Sequence, residues 1–527
     1  MADSKLSAAG LKASISDSIF EAKVLREAGI IGPMRPDKAL KIGGAFLRWG
    51  ASPALGVTTA AIHHPHELAI LDERGALSWE RLHRRSNALA HAFAGMGIGP
   101  GDGVGIMCRN HRGFVEATLA AAKLGASALY LNTMFAGPQL AEVTRREGPK
   151  ALVYDEESDE PTLESLIAAG EESDHKPPPE KPKFVILTSG TTGTPKGAQR
   201  SSPDGLMAIA SLIDKIPFRT GMTMMIAAPL FHSWGFFHFV MSLPTGSTMV
   251  LRRRFDPEET LRAAEQSRAD VLAAVPVMIQ RILTLPDEVL DRYSLPSLRI
   301  ASLSGSALPG ELAIEWMDRF GDNVYNLYGS TEVAYATVAT PEDLRTAPGT
   351  AGKPPRGTKI CLYDEAGKEV PQGEVGRIFV GNEMAFEGYT GGGGKEIIDG
   401  LYSSGDVGHF DSEGRLFIDG RDDEMIVSGG ENVFPREVED LLADHEAVEE
   451  VAVIGVEDDE FGQRLKAFVV VRGGAEVDAG ALTVHVKANL ASYKSPREIE
   501  FLDELPRNAT GKVLKKDLRA RDKETSA

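Results

Sequence analysis

The stretch Thr188-Ser189-Gly190-Thr191-Thr192-Gly193-Thr194-Pro195-Lys196-Gly197 gathers hydroxyl side chains, glycines and one lysine in a single run. It follows Phe184-Val185-Ile186-Leu187, an apolar run with the length of a buried strand. Glycine removes the steric barrier of Cβ and lets a backbone approach an anion closely. Backbone N–H groups, the Ser and Thr hydroxyls and the Lys196 ammonium then supply donors and positive charge. Such a loop suits a polyphosphate. No GxxxxGK[ST] string is present, so it is not a Walker loop.

Read on order as well as composition, this run resembles the phosphate loop of the adenylate-forming enzymes: acyl-CoA synthetases, luciferases and peptide-synthetase adenylation domains. Further stretches resemble that family's motifs, in the family's order. Asn326-Leu327-Tyr328-Gly329-Ser330-Thr331-Glu332 is similar to the adenine and magnesium segment, and Tyr402-Ser403-Ser404-Gly405-Asp406 to the ribose segment. Gly420-Arg421-Asp422-Asp423-Glu424-Met425-Ile426 resembles the hinge, and Pro506-Arg507-Asn508-Ala509-Thr510-Gly511-Lys512 the carboxy-terminal lysine loop. A Ser/Thr/Gly run is often only a flexible linker, but the ordered match behind a strand argues against that here.

Adenylating a carboxylate makes one anion attack the α-phosphorus of another, so the site must neutralise charge, align groups and stabilise leaving pyrophosphate. Thr188, Ser189, Gly190, Thr191, Thr192 and Lys196 suit the β and γ phosphates. Glu332 offers Mg²⁺ a hard carboxylate oxygen, although a glutamate outside such a motif is usually a solvated surface residue. Tyr328 offers an aromatic platform for adenine, and Asn326 lies in the same segment. By the resemblance, Thr331 contacts the α-phosphate and Gly305-Ser306-Ala307 forms the opposite wall of the adenine slot. Asp406 accepts from both ribose hydroxyls and Arg421 assists; without the Tyr-x-Ser-Gly-Asp string, Gly-Asp would be a turn. The resemblance also implies that Lys512 bridges carboxylate and phosphate oxygens as a mobile point charge and that Asp423 is the hinge. Gly430 falls in Ser428-Gly429-Gly430-Glu431-Asn432 as a CoA contact, where several plant relatives carry lysines instead.

His232 lies in Leu230-Phe231-His232-Ser233-Trp234-Gly235-Phe236-Phe237. The family places a histidine or another aromatic at this junction of nucleotide and acyl pockets, which implies gating or acyl positioning. His63, His64 and His66 read as a plain loop, because Pro65 intervenes and no carboxylate converges. Gly391 to Gly394 mimics a nucleotide loop, but Tyr389 and Glu396 break the Walker pattern and a surface turn is expected.

These residues need a scaffold, and 527 residues exceed one ordinary core. Apolar strands (Gly103 to Cys108, Met222 to Ala228, Ser247 to Leu251, Val271 to Val275, Ile300 to Leu303) alternate with helical stretches such as Phe114 to Leu124 and Pro257 to Gln266, which means α/β layering. Glu156 to Lys183 reads as a charged, proline-containing connector. The expected fold class is α/β, with a large N-terminal domain of layered α/β subdomains and a small β region, plus a mobile α+β C-terminal domain. Boundaries are expected at 1–59 (N-terminal leader and docking helices), 60–422 (adenylation domain) and 423–527 (mobile domain). In the leader, Lys38, Lys41 and Arg48 share one helical face and Ala39, Ile42, Phe46 and Trp49 another. Docking on the protein itself is the favoured reading of that helix, with an anionic membrane as the alternative.

Composition narrows the partners. A net charge of −19 argues against nucleic acid, which demands a basic face. Cys108 and Cys361 form no disulfide framework, and no run reaches transmembrane length, so a cytoplasmic protein is expected, with peripheral membrane contact and a homodimer left open. ATP, Mg²⁺ and CoA are the expected cofactor and co-substrates of an acid–thiol ligase. No acidic residue lies between Pro229 and Met241, and an unpaired buried ammonium would cost several kcal/mol, so an amino acid substrate is disfavoured. Trp234, Phe236 and Phe237 point instead to an apolar acyl chain, each buried methylene contributing about 0.8 kcal/mol. The first expectation is a medium- or long-chain fatty acid; an aryl acid is the second. An acyl-AMP ligase that loads a carrier protein is the rival within the family, and a non-catalytic nucleotide-binding scaffold the rival outside it.

Overall fold

The computed structural model describes residues 8–526 apart from 134, 136, 156–161, 180, 181, 188–196, 201–205, 385–387, 390–393, 425, 429, 430, 434, 459–461, 491–493, 509 and 510. The α/β alternation is present as expected. Short apolar strands of four or five residues are buried on both faces, as parallel strands between helices must be. One sheet carries Leu68–Asp72, Thr248–Leu251, Thr223–Ile226, Val271–Ala274, Ile300–Leu303 and Val324–Tyr328 in parallel, edged by antiparallel Gly75–Ser78 and Thr337–Ala339. A second sheet runs in the order Gly388–Tyr389, Gly197–Arg200, Phe184–Leu187, Ser127–Tyr130, Gly103–Met107, Ala151–Tyr154. One continuous core joins both, from Val57 through Phe114 and Ile226 to Trp316.

The turn-rich stretch that follows makes a smaller antiparallel sheet around Lys359–Tyr363, Gly376–Gly381, Leu401–Phe410 and Leu416–Arg421. Beyond it the chain builds a separate sheet with its own apolar core, including Ile426, Val438, Val453, Leu465 and Leu482. The helix Lys515–Ser526 was not legible in the periodicity, because its sequence is almost wholly polar. Leu518 is buried beneath it, and Lys466 Nζ reaches Asp522 at 2.9 Å and Arg521 Nε reaches Glu500 at 2.6 Å. Charge pairing on a single apolar anchor holds it, where an amphipathic stripe would have announced it.

Two further expectations change. The connector contains a helix, Leu163–Ala169, started by Thr162, whose hydroxyl accepts from the Ser165 N–H at 3.2 Å. In the leader, the helix Pro36–Trp49 buries Ala45 and Trp49 against Ala54, while Phe46 stands 57% exposed. Phe46 therefore leaves the docking face assigned to it. Lys38 Nζ donates to the His63 carbonyl at 2.9 Å and Arg48 Nη2 to the His175 carbonyl at 2.7 Å. Both cations are thus drawn onto the protein. Among the described residues no helix is long and apolar enough to cross a membrane.

Candidate active site

The candidate residues gather outside the carboxyl ends of the parallel strands, where open α/β sheets generally bind ligands. The phosphate loop Thr188–Lys196 lies outside the described residues, as does Gly430. The strands that flank the loop are placed, however, and pair antiparallel with Leu187 opposite Gly197. Ile300–Leu303 and Val324–Tyr328 are parallel neighbours, with Leu303 opposite Asn326. Gly305-Ser306-Ala307 leaves the first and Tyr328 to Glu332 leaves the second, so both expected adenine walls come from adjacent strands. Asn326 is buried, and its Oδ1 has no partner among the described residues.

The expected ribose corner is the most tightly built part. Asp406 and Arg421 face each other across paired strands, and Arg421 Nη1 donates to Asp406 Oδ1 at 3.3 Å. Tyr328 Oη donates to Asp406 Oδ2 at 2.6 Å, which ties the expected adenine platform to the expected ribose carboxylate. Gly405 has φ +81°, and a Cβ there would stand 3.3 Å from Arg421 Nη2. The small, left-handed residue is what lets the guanidinium reach Asp406. Burial pushes the Asp406 carboxyl above its ordinary value, opposed by Arg421, the Tyr328 hydroxyl and the charge of Lys512. Burial and Asp406 together hold the Tyr328 phenol well above its usual range.

Glu332 follows a tight turn in which Ser330 Oγ accepts from the Glu332 and Val333 N–H groups at 3.2 and 3.3 Å. Thr331 stands between them in this half-buried turn. Tyr389 Oη donates to Glu332 Oε1 at 2.7 Å. Burial would raise the Glu332 carboxyl, but Tyr389, Ser330 and nearby Lys395 bring it below the ordinary value. An ionised, partly desolvated carboxylate fits a hard cation. Tyr389 was missed by sequence reasoning, which saw only a break in a Walker pattern. Its strand pairs with the one leaving the phosphate loop, Tyr389 opposite Ala198, and only that non-local pairing brings it to Glu332.

Lys512 reaches this region from the carboxy-terminal unit. Its N–H donates to Asn508 Oδ1 at 2.9 Å, and the Gly511 N–H donates to the Asn508 carbonyl at 2.9 Å. Gly511 has φ +78°, and a Cβ there would fall 2.2 Å from Val277 Cγ1, on the helix Pro276–Leu283 of the large unit. The lysine loop is therefore seated against the helix Pro276–Leu283 of the large unit. Asp423 falls in a 3₁₀ turn, Asp422–Glu424, between the two units.

His232 precedes the helix Ser233–Thr245, and its Nε2 is buried without a partner among the described residues. Burial brings its pKa down to about 4, so the ring is neutral near pH 7. Trp234 Nε1 donates to the carbonyls of Ala274 and Ser302, both at 3.1 Å, and Phe237 stacks on the indole at 5.3 Å and 7°. Phe236 packs between Tyr130 and Phe184, at 4.8 and 5.5 Å. Trp234 is thus pinned to the first sheet with Phe237 stacked on it, while Phe236 packs on the second. The group Cys108, His111 and Asp155 has ligand atoms close enough for a metal. His111 Nδ1 accepts from the Gly113 N–H at 3.0 Å, its other nitrogen meets Asp155, and Asp155 also binds Arg109 at 2.6 Å. That is a closed hydrogen-bond knot.

Comparison with known proteins agrees with this geometry. Residues 57–390 match the model of the AMP-binding enzymes, and residues 437–512 match that of the AMP-binding enzyme C-terminal domain. A feruloyl-CoA synthase of Amycolatopsis is 33% identical over 478 residues, which cover 87% of this chain and 96% of that protein. A fatty acid–[acyl-carrier-protein] ligase of Streptomyces coeruleorubidus is 31% identical over 500 residues, covering 88% and 96%. The solved o-succinylbenzoate CoA synthetase of Bacillus subtilis, in complex with its acyl-adenylate intermediate, superposes with a TM-score of 0.79 at 28% identity, covering 88% of this chain and 97% of that one. With a family model spanning more than half its length, the chain belongs to the AMP-binding enzymes, the adenylate-forming superfamily.

Proposed function

We propose that this AMP-forming acid–thiol ligase joins an aromatic carboxylic acid to CoA in two steps at one site. In the first, a carboxylate oxygen of the acid attacks the α-phosphorus of ATP, giving acyl-adenylate and pyrophosphate. In the second, the CoA thiolate attacks the acyl carbon and AMP leaves. Tyr328, Asn326 and Gly305-Ser306-Ala307 hold adenine, and Asp406 with Arg421 holds the ribose. Thr188 to Thr192, Lys196 and Thr331 hold the phosphates, and Lys512 bridges the attacking carboxylate and the α-phosphate. Mg²⁺, bound through Glu332, would supply further neutralisation of phosphate charge. His232 is neutral and desolvated, and it orients the acid's carboxylate; the first step needs no general base, because a carboxylic acid is already ionised near pH 7. Residues 60–422 act as the adenylation domain and 423–527 as the mobile domain, with Asp423 as hinge and Gly430 on the CoA path.

One observation carries the choice of acid. The Trp234 indole is pinned by two carbonyls and backed by a stacked phenyl. Swinging it aside would strand a buried donor, at a cost of about 1–3 kcal/mol. A fixed flat wall suits a planar ring better than a long flexible chain. The likeness to a feruloyl-CoA synthase supports this reading. The likeness to a fatty acid–[acyl-carrier-protein] ligase keeps a second one, a fatty acid substrate with a carrier protein as acceptor. An acid panel scored by AMP release, with CoA and with a phosphopantetheinylated carrier, separates the two. Cinnamates and benzoates should exceed C8–C16 fatty acids in kcat/KM by about tenfold or more, with CoA preferred. The reverse order would install the second reading.

A further inference from the structure

The hinge turn is gripped on both sides, one residue apart. Asp422 is bound by Arg377, whose Nε lies 2.9 Å from Asp422 Oδ2. Arg377 belongs to the strand Gly376–Gly381, is paired into the small antiparallel sheet opposite Val407, and also binds Glu396. Glu424 is bound from the other unit. Lys515 Nζ lies 2.9 Å from Glu424 Oε2 and 3.0 Å from Glu439 Oε1, and Glu439 accepts from the Val453 N–H at 2.7 Å. Lys515, Glu424 and Glu439 are all more than four-fifths buried. Asp422 is thus part of the large unit and Glu424 part of the carboxy-terminal one. Lys515 is also three residues from Lys512, so the grip on Glu424 continues directly into the lysine loop.

We infer that Arg377 and Lys515 are positioning residues that confine domain rotation to the backbone of Asp423. The inference rests on Asp423 being the hinge. A rotation absorbed by one residue carries the small unit between two reproducible orientations. Loosen either grip, and the change spreads over several residues into many orientations, few of them productive. Misplacement by about 1 Å can cost about a hundredfold in rate. The two orientations are not equally exposed to that loss. The one seen here has contacts of its own, with Gly511 against Val277 and Gln280 Nε2 donating to the Glu449 carbonyl at 3.4 Å. Loss of a grip should therefore fall on the CoA step.

The test uses the full chain carrying Arg377→Gln or Glu424→Gln, with Arg377→Lys and Glu424→Asp as conservative variants. Two half-reactions are measured on the same preparation: acid-dependent ATP–pyrophosphate exchange, and thioester formation from supplied acyl-adenylate and CoA. Exchange should stay within about threefold and thioester formation fall by about tenfold or more, with the conservative variants recovering most of it. A dye pair spanning the two units should show a broader distance distribution in the glutamine variants at unchanged Tm. Equal loss in both half-reactions, or loss in neither, overturns the inference. Asp423→Pro, made in parallel, separates this from the hinge itself. If the proline variant splits the two steps while Arg377→Gln and Glu424→Gln do not, the grips are only structural and the hinge stands. If the proline variant leaves both steps intact, the hinge reading fails and the inference falls with it.

Discussion

Asp406 shows what one residue must do at this site. Its carboxylate is surrounded by a phenol, a guanidinium and, from the other unit, the charge of Lys512. Those donors offset part of the burial, which still leaves the carboxyl above its ordinary value. Replacing it by Asn keeps the shape and removes the charged acceptor proposed for the ribose hydroxyls, a loss of about 1.5–3 kcal/mol. Asp406→Asn should therefore weaken ATP binding, read by calorimetric titration, by about tenfold to a hundredfold while the KM for the acid changes little. Unchanged ATP affinity would remove Asp406 from the nucleotide site. Tyr328 should respond as well. Its phenol donates to this same carboxylate, so its anchor weakens to a neutral hydrogen bond when the charge goes.

Between elements the decisive contact is the one at Gly511. A positive φ and Val277 Cγ1 at 2.2 Å from where a Cβ would stand leave no room for a side chain. Gly511→Ala should keep the lysine loop from seating and so lower acid-dependent pyrophosphate exchange sharply, with thioester formation from supplied acyl-adenylate largely preserved. Val277→Ala clears the nearest atoms. The double variant should recover part of the exchange, the remainder being the backbone strain of alanine at φ +78°. No recovery at all would place the damage in the backbone alone and remove Val277 from the docking face. Lys512 itself was legible in the sequence because Gly-Lys recurs in a recognisable loop. Val277 carried no signal, since a valine near the start of an apolar helix looks like any other core residue.

For the molecule as a whole, the layered α/β plan and its order of motifs were legible, because buried parallel strands are short apolar runs with helices between them. Of the residues named by motif, Tyr328 and Arg421 are hydrogen-bonded to Asp406, and the charge of Lys512 reaches the same carboxyl. What stayed hidden depended on pairing between distant segments: Tyr389 against Glu332, Arg377 against Asp422, and Lys515 against Glu424. A charged residue reads as solvated until its partner is known. Trp234 was legible as an aromatic beside the candidate pocket, but its anchoring was not, since the Ala274 and Ser302 carbonyls that hold its N–H lie far along the chain. The central claim is that one site makes an acyl-adenylate and then discharges it to a thiol. It is tested most directly by incubating the enzyme with ATP, Mg²⁺ and an aromatic acid without CoA, quenching, and identifying the bound species by mass spectrometry before and after CoA is added. The expected result is an enzyme-bound aryl-adenylate that converts to aryl-CoA and AMP on addition of CoA. Release of ADP, or an adenylate that CoA cannot discharge, would contradict the account.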